Sequence, residues 1–360
     1  MSQLLYSEEE SDLRASVRAL LTDRSGPDVV LGRIETDQPY DMALWKALAE
    51  QTGCAGLPIA EAQGGAGASF RETAVVLEEL GRSVAPTPFF GSAVLATAAL
   101  LAAGETELLS ELAGGAVSAT LAVPFSFFGN DFPSAVRAEG GTLSGTVTTV
   151  VDALTADYFV VPAEGPALFV VAAADVTRSP IVTLDPTRPL ADVTLEKAHG
   201  RQIAAGDDAV GALTAALRTG AALLASEQLG VAERALETTI EYLKTRYQFG
   251  RPLGSFQALK HRLADAWVSV TQARAVARYA ATCVATDDPD ADIAAALAQA
   301  QVSQVAVTVA EEAVQLHGGI GFTWEHPAHL YLKRAKSTSL ALGTAANHRA
   351  RLATLVDLPL

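Results

Sequence analysis

The chain has 360 residues, 49% of them hydrophobic, with 26 basic against 41 acidic side chains and a net charge of −15. That length supplies two or three domains at roughly 100–200 residues each and ample core, while the acidic balance argues against a nucleic-acid ligand, which needs a concentrated basic face. The only cysteines, Cys54 and Cys283, lack CxxC or CxxH spacing in a chain too large to need disulfides, and read as reduced, buried thiols.

The opening MSQLLYSEEESD puts acids where a secretory leader carries positive charge. The longest apolar run, AVLATAALLAA at 93–103, falls short of the about 20 residues a bilayer needs. These features predict a cytoplasmic location without membrane insertion. Over residues 1–115 helical stretches alternate with Gly and Pro breaks. In the first, Leu13, Val17, Leu20 and Leu21 keep the spacing of one helix face, and Ser7 with Glu10 fits a capping box. DMALWKALAEQTG and FRETAVVLEELGRSV follow, each ended near a glycine.

From 116 to 208 the texture changes to short Val-, Thr- and Phe-rich runs: SATLAVPF, SAVRAE, TLSGTVTTV, DYFVVPA, PALFVVAA, IVTLD and ADVTLE. With no helical pattern between them they predict antiparallel strands of a sandwich or barrel. From 209 to 360 long helices return, their small apolar positions suiting a four-helix bundle. The fold class is therefore α+β: a helical N-terminal domain, a middle antiparallel β domain and a C-terminal four-helix bundle.

Common catalytic signatures are missing. The glycine clusters AQGGAGAS and HGGIGFT follow no predicted strand, so they meet neither a Walker A loop nor a dinucleotide fingerprint. GxSxG and HExxH do not occur. His326 and His329 make an HxxH, but Pro327 spoils a helical ligand pair and no Cys/His set adjoins, so no metal is expected.

Two stretches carry a binding signal: TRYQFGRPLGSFQALKHRLAD at 245–265 and QLHGGIGFTWEHPAHLYLKRAK at 315–336. Arg246 and Phe249, three apart near a helix end, are expected on one face, where a guanidinium and a ring can meet one ligand. The planar arginine fork suits a pyrophosphate. Gln257 follows the turn, and Gln315 precedes Gly318 and Gly319, where missing side chains let a ligand lie against backbone amides. The plainer reading is a solvated helix-end arginine and glycines that merely end a helix.

Together the two stretches resemble the acyl-CoA dehydrogenases, flavoenzymes that desaturate acyl-CoA thioesters between Cα and Cβ. The resemblance spans nearly the whole chain and implies that family's fold. It implies that Arg246, Phe249, Gln257, Gln315, His317, Gly318 and Gly319 grip the ADP half of an FAD seated mostly in a neighbouring subunit. It also exposes losses. The family's base glutamate falls, by ungapped count, on Leu342, and the alternative base position of some members falls on Gly220. Glu227 and Glu233 lie further along that helix, either as a relocated base or as packing carboxylates. The loops that bond the flavin ring are replaced by AVPFSFFGNDFPS and TVVDALTADYF, where Asp152 would set a carboxylate near an anionic reduced flavin.

The losses fall on the chain's own half-site and the retentions on the neighbour's FAD. That pattern resembles the non-catalytic subunit of heteromeric α2β2 actinobacterial steroid acyl-CoA dehydrogenases, active only beside a catalytic homologous subunit. The resemblance implies a steroid or other bulky acyl-CoA substrate and an electron-transfer flavoprotein as acceptor. A homomeric enzyme with a relocated base and a flavin-free scaffold or acyl-CoA-binding protein remain as alternatives.

Overall fold

A computed structural model of the chain describes residues 4–129 and 131–358; Asn130, in the loop that replaces the family's flavin loop, lies outside them. Helix α1 (Glu8–Arg24) starts at the expected capping box, Ser7 Oγ accepting from the Glu10 N–H at 3.1 Å and Glu10 returning the bond at 2.7 Å. Then follow α2 (Pro27–Ile34), α3 (Met42–Lys46), α4 (Phe70–Ser83), α5 (Thr97–Ala102) and α6 (Glu107–Ala113). The apolar run is core: residues 93–100 are almost fully buried, beneath a widened helical turn at Phe90–Ala96 that leads into α5.

Seven strands follow: β1 (Ala119–Leu121), β2 (Val136–Glu139), β3 (Thr142–Val151), β4 (Tyr158–Ala163), β5 (Ala167–Ala172), β6 (Val176–Ile181) and β7 (Leu190–Ala205). Their order is β1-β4-β5-β7-β3-β2, with β6 also on β7. The 16-residue β7 pairs with β3, β5 and β6 and joins the two halves of the sheet. One pairing departs from the antiparallel expectation: β1 runs parallel to β4. Parallel neighbours need a long crossover, and residues 122–157, which contain the β2–β3 hairpin, supply it. IVTLD is not a strand; only Ile181 belongs to the sheet, ending the unforeseen β6, and Val182 stands fully exposed.

The C-terminal bundle is α7 (Asp207–Thr245), α8 (Gln257–Ala285), α9 (Ala291–His317), α10 (Ala328–Thr338) and α11 (Ala345–Leu355). At 1.5 Å per residue α7 spans about 58 Å and packs on α4, α8 and α9. Glycines set the docking of the N-terminal helices: a Cβ on Gly230 would stand 1.9 Å from the Glu78 carbonyl oxygen, and one on Gly81 2.1 Å from that of Glu227. Backbone approach at that range between α4 and α7 admits no side chain.

Candidate functional site

Helix α7 ends at Thr245, and Arg246 is already extended at φ −80°, ψ 119°. Arg246 and Phe249 therefore do not share a helical face, contrary to expectation. A short hairpin intervenes, β8 (Tyr247–Gln248) against β9 (Arg251–Pro252), closed by Phe249 at φ +54° and Gly250 at φ +73°. Two positive φ values make the two-residue turn that matches strand twist. A left-handed phenylalanine costs about 1–3 kcal/mol, and its ring is 88% exposed, edge-on to Phe256 at 6.2 Å. Gln257 opens α8 on the exposed side of the same turn.

The second motif approaches from α9. Its helix stops at His317 because Gly318 turns to φ +64°, and a Cβ on Gly319 would meet nothing within 4 Å. Tyr242, in the last turn of α7, stacks on His317 at 4.5 Å and 28°, bringing the two motifs side by side. Arg246, Gln257, Gln315, Gly318 and Gly319 are all exposed, and among the described residues the three polar side chains pair with nothing. His317 differs from the expectation: it is buried under the turn, its Nδ1 2.6 Å from the Ala313 carbonyl, and supports the surface rather than forming it. Within the two motifs themselves Tyr247, Ile320, Phe322 and Trp324 are exposed as well, and exposed apolar side chains of this size, when grouped, mark association surfaces.

The two positions at which the resemblance expects the base, Gly220 and Leu342, converge in space. A Cβ on Gly220 would lie 3.0 Å from Leu342 Cδ1 and 2.4 Å from Leu95 Cδ2, so the leucines fill the point where a carboxylate could stand. The Leu342 N–H is taken by the Phe125 carbonyl at 2.8 Å. Phe128 lies over Gly343, where a Cβ would come within 2.3 Å of its ring, and meets His348 edge-on at 4.9 Å. Beside it remains a cleft of about 180 Å³ lined by Phe127, Phe128, Leu217, Arg218, Asp292 and Leu342 among others. That is below the about 300–1,000 Å³ of pockets for drug-sized ligands, with Phe128 and Leu342 on its wall. Asp131 and Asp292 are the carboxylates lining this cleft, and Arg351 holds Asp292 at 2.9 Å.

Glu227 and Glu233 are both buried in ion pairs with arginines. Glu227, 1% exposed, accepts from Arg188 Nη2 at 2.7 and 2.6 Å and from Arg334 Nη1 at 2.8 Å. Arg334 also reaches Asp185 at 2.6 Å and the Thr187 carbonyl at 2.8 Å. Burial pushes the Glu227 carboxyl up, but the two guanidiniums outweigh it and hold the group below the usual carboxylate range, the wrong direction for a base near neutral pH. Glu233 is buried among Arg14, Arg82 and Arg274 at 3.5, 3.0 and 2.7 Å. Asp152 does not face a cleft: fully buried at φ +57°, it accepts from the Gly91 N–H at 2.7 Å and the Tyr40 hydroxyl at 3.0 Å. Burial raises its pKa, which Arg188 partly offsets.

Sequence reasoning missed Arg188, Arg334, Asp185 and Tyr40. The signal was the run from 326 to 356 without an acid. Three of its cations find acids elsewhere in the chain: Arg334 inward at Asp185 and Glu227, Lys336 at Glu311, and Arg351 at Asp292.

Comparison with known proteins agrees with this architecture. The family models for the acyl-CoA dehydrogenase C-terminal and N-terminal domains match residues 210–356 and 7–118. The chain is 41% identical over 348 residues to acyl-CoA dehydrogenase IpdE2 of Mycolicibacterium smegmatis, covering 96% of this chain and 98% of the relative. Among solved structures, the ChsE4-ChsE5 complex from Mycobacterium tuberculosis superposes with a TM-score of 0.88 at 32% identity, covering 99% of this chain and all of that one. A variant of the Tcur3481-Tcur3483 steroid acyl-CoA dehydrogenase gives 0.86 at 32% identity, covering 97% and 98%. FAD is the cofactor of this group. The chain belongs to the acyl-CoA dehydrogenase family.

Proposed function

We propose that this chain is the non-catalytic subunit of a heteromeric, FAD-dependent acyl-CoA dehydrogenase, which desaturates a bulky, steroid-type acyl-CoA together with a homologous catalytic subunit. One contrast carries the reading. Arg246, Gln257 and Gln315 stand exposed and unpaired beside the open Gly319 backbone, whereas Leu342, Leu95 and Phe128 close the chain's own half-site. Two structural neighbours are themselves named as two-component assemblies, one of them steroid-directed, and support the pairing.

When bound, FAD supplies the acceptor for the hydride that leaves Cβ. The fit of the exposed surface to it is chemical: an arginine fork for a pyrophosphate, amide side chains for polar ring edges, and at Gly318 and Gly319 a backbone that no side chain covers, a Cβ there meeting nothing within 4 Å. Arg246 would bind phosphate oxygens, Phe249 cover the ligand against water, and Gln257 with Gln315 orient it. The partner would contribute the base and the flavin cradle. The assembly is read as cytoplasmic and as passing electrons to an electron-transfer flavoprotein.

Arg246→Ala tests the reading. In a complex co-purified with the partner, it should lower flavin retention by about tenfold or more, the loss of a charge-assisted bidentate pair being worth about 1.5–3 kcal/mol. Full flavin retention would refute the grip. A complex that never binds FAD would favour the flavin-free scaffold.

A further inference from the structure

The two halves of the exposed grip come from helices far apart in sequence, yet what lies beneath them is one column of rings. Tyr242 sits four residues before Arg246, and its carbonyl accepts the Arg246 N–H at 2.9 Å. His317 directly precedes Gly318. The rings stack at 4.5 Å and 28°, and His317 also meets His326, tilted, at 4.5 Å and 46°. Both histidines are anchored: His317 Nδ1 lies 2.6 Å from the Ala313 carbonyl, and His326 Nδ1 accepts the Ala328 N–H at 3.3 Å, tying the column to the start of α10. The column is thus the contact through which the α7 end and the α9 end keep their spacing.

Given that the exposed surface holds the partner's FAD, we infer that Tyr242, His317 and His326 are positioning residues: they set the distance between the Arg246 turn and the Gly318–Gly319 turn, and the grip loosens when the two histidines acquire charge. The groups facing the column are few. From α7 there is Tyr242, and from 324–333 there are His329, edge-on to Trp324 at 4.9 Å, and Lys333, whose ammonium lies 3.8 Å above the same Trp324 ring. Among the described residues no carboxylate forms an ion pair with His317, His326 or His329. Among the described residues a charge on these rings therefore has no paired carboxylate.

Burial lowers the pKa of all three histidines. For His317 the Ala313 carbonyl partly restores it; for His326 the neighbouring His317 lowers it further, and for His329 Lys333 does the same. All three are neutral at pH 7. The second proton on His326 would go to Nδ1, which would lose the Ala328 N–H, and two imidazolium rings at 4.5 Å repel. The closed column binds this proton less readily than an opened one does. Acidification below the ordinary histidine value of about 6.5 therefore favours opening.

The experiment measures FAD affinity of the heteromeric complex at about pH 7.5 and about pH 5.5, for the wild type and four variants. The wild type should weaken by about tenfold on acidification, a coupling of ordinary size. His326→Phe keeps a ring in the column without a titrating nitrogen, though it gives up the bond to the Ala328 N–H; it should lose most of the acid effect, its affinities at the two pH values agreeing within about threefold. Tyr242→Ala should weaken affinity about tenfold at the higher pH, and Tyr242→Phe should restore it. Equal acid effects in the wild type and His326→Phe, or an unweakened Tyr242→Ala, would overturn the inference. Arg246→Ala is the control: if it too leaves FAD affinity unchanged, the grip itself is misread, whereas a weakened Arg246→Ala beside an unaffected Tyr242→Ala condemns the column only. Circular dichroism and the size of the complex report folding independently.

Discussion

Exchanging Glu227 for glutamine removes a charge while keeping shape, and so separates a packing carboxylate from a catalytic base. Glu227 accepts two short bonds from Arg188 and one from Arg334. Arg334 would keep Asp185, but among the described residues Arg188 has no second carboxylate within ion-pair distance, Asp152 acting on it only through space; it would remain buried against the rings of Phe90 and Phe125 at 5.2 and 5.9 Å. Breaking one partner of a buried pair costs about 3–5 kcal/mol. With unfolding entropy near 2.1 cal/mol/K per residue, 360 residues give about 0.76 kcal/mol/K, so the melting temperature should fall by about 4–7 °C. The carboxyl's folded pKa lies below its unfolded value; its contribution is therefore complete above about pH 4.5 and is lost as pH falls through the folded value. The gap in melting temperature should be full at pH 7 and narrow in acid. Thermal melts of the complex by circular dichroism measure the first quantity, and turnover at 25 °C the second, expected within about threefold of wild type. An unchanged melting temperature with turnover reduced by about 10² or more, the scale of a lost general base, would refute the assignment and restore the relocated-base enzyme.

Gly319→Val points a side chain into open space, so melting of the isolated chain should not change while flavin is lost from the complex; retained flavin, measured by absorbance, would contradict a ligand against that backbone. Leu342→Glu places a carboxyl against Leu95 and beside Gly220. It should lower the melting temperature by several degrees, as buried unpaired charges do, and confer no desaturation on the chain by itself. Tyr40→Phe removes one donor from buried Asp152 and should cost about 1–3 kcal/mol, read as a drop of about 1–4 °C.

Much of the α+β order was legible because period and punctuation are local. The Ser7–Glu10 capping box and the glycine that ends α9 are decided by neighbours in sequence. Gly220 and Leu342, the positions that counting assigns to the family's base, come together at Leu95 because α7 crosses the loop before α11. The parallel β1–β4 pair was not legible, since pairing direction depends on where a 36-residue crossover returns the chain. The hairpin that lifts Phe249 off the helix needed knowledge that a phenylalanine would accept positive φ. The buried ions were the largest omission: Arg188 and Arg334 look like surface cations in a string of letters, and only the fold places Glu227 and Asp185 against them. The same holds for His317, whose place beside two glycines suggested the surface and whose stack on Tyr242 puts it underneath.

The most direct test of the account is the flavin content of this chain purified by itself and then co-expressed with its homologous partner. The account predicts no bound FAD on the isolated chain and about one FAD per pair of unlike subunits in the complex. A full FAD on every copy of the isolated chain would contradict it, because Phe128, Leu342 and Leu95 would then not close the half-site.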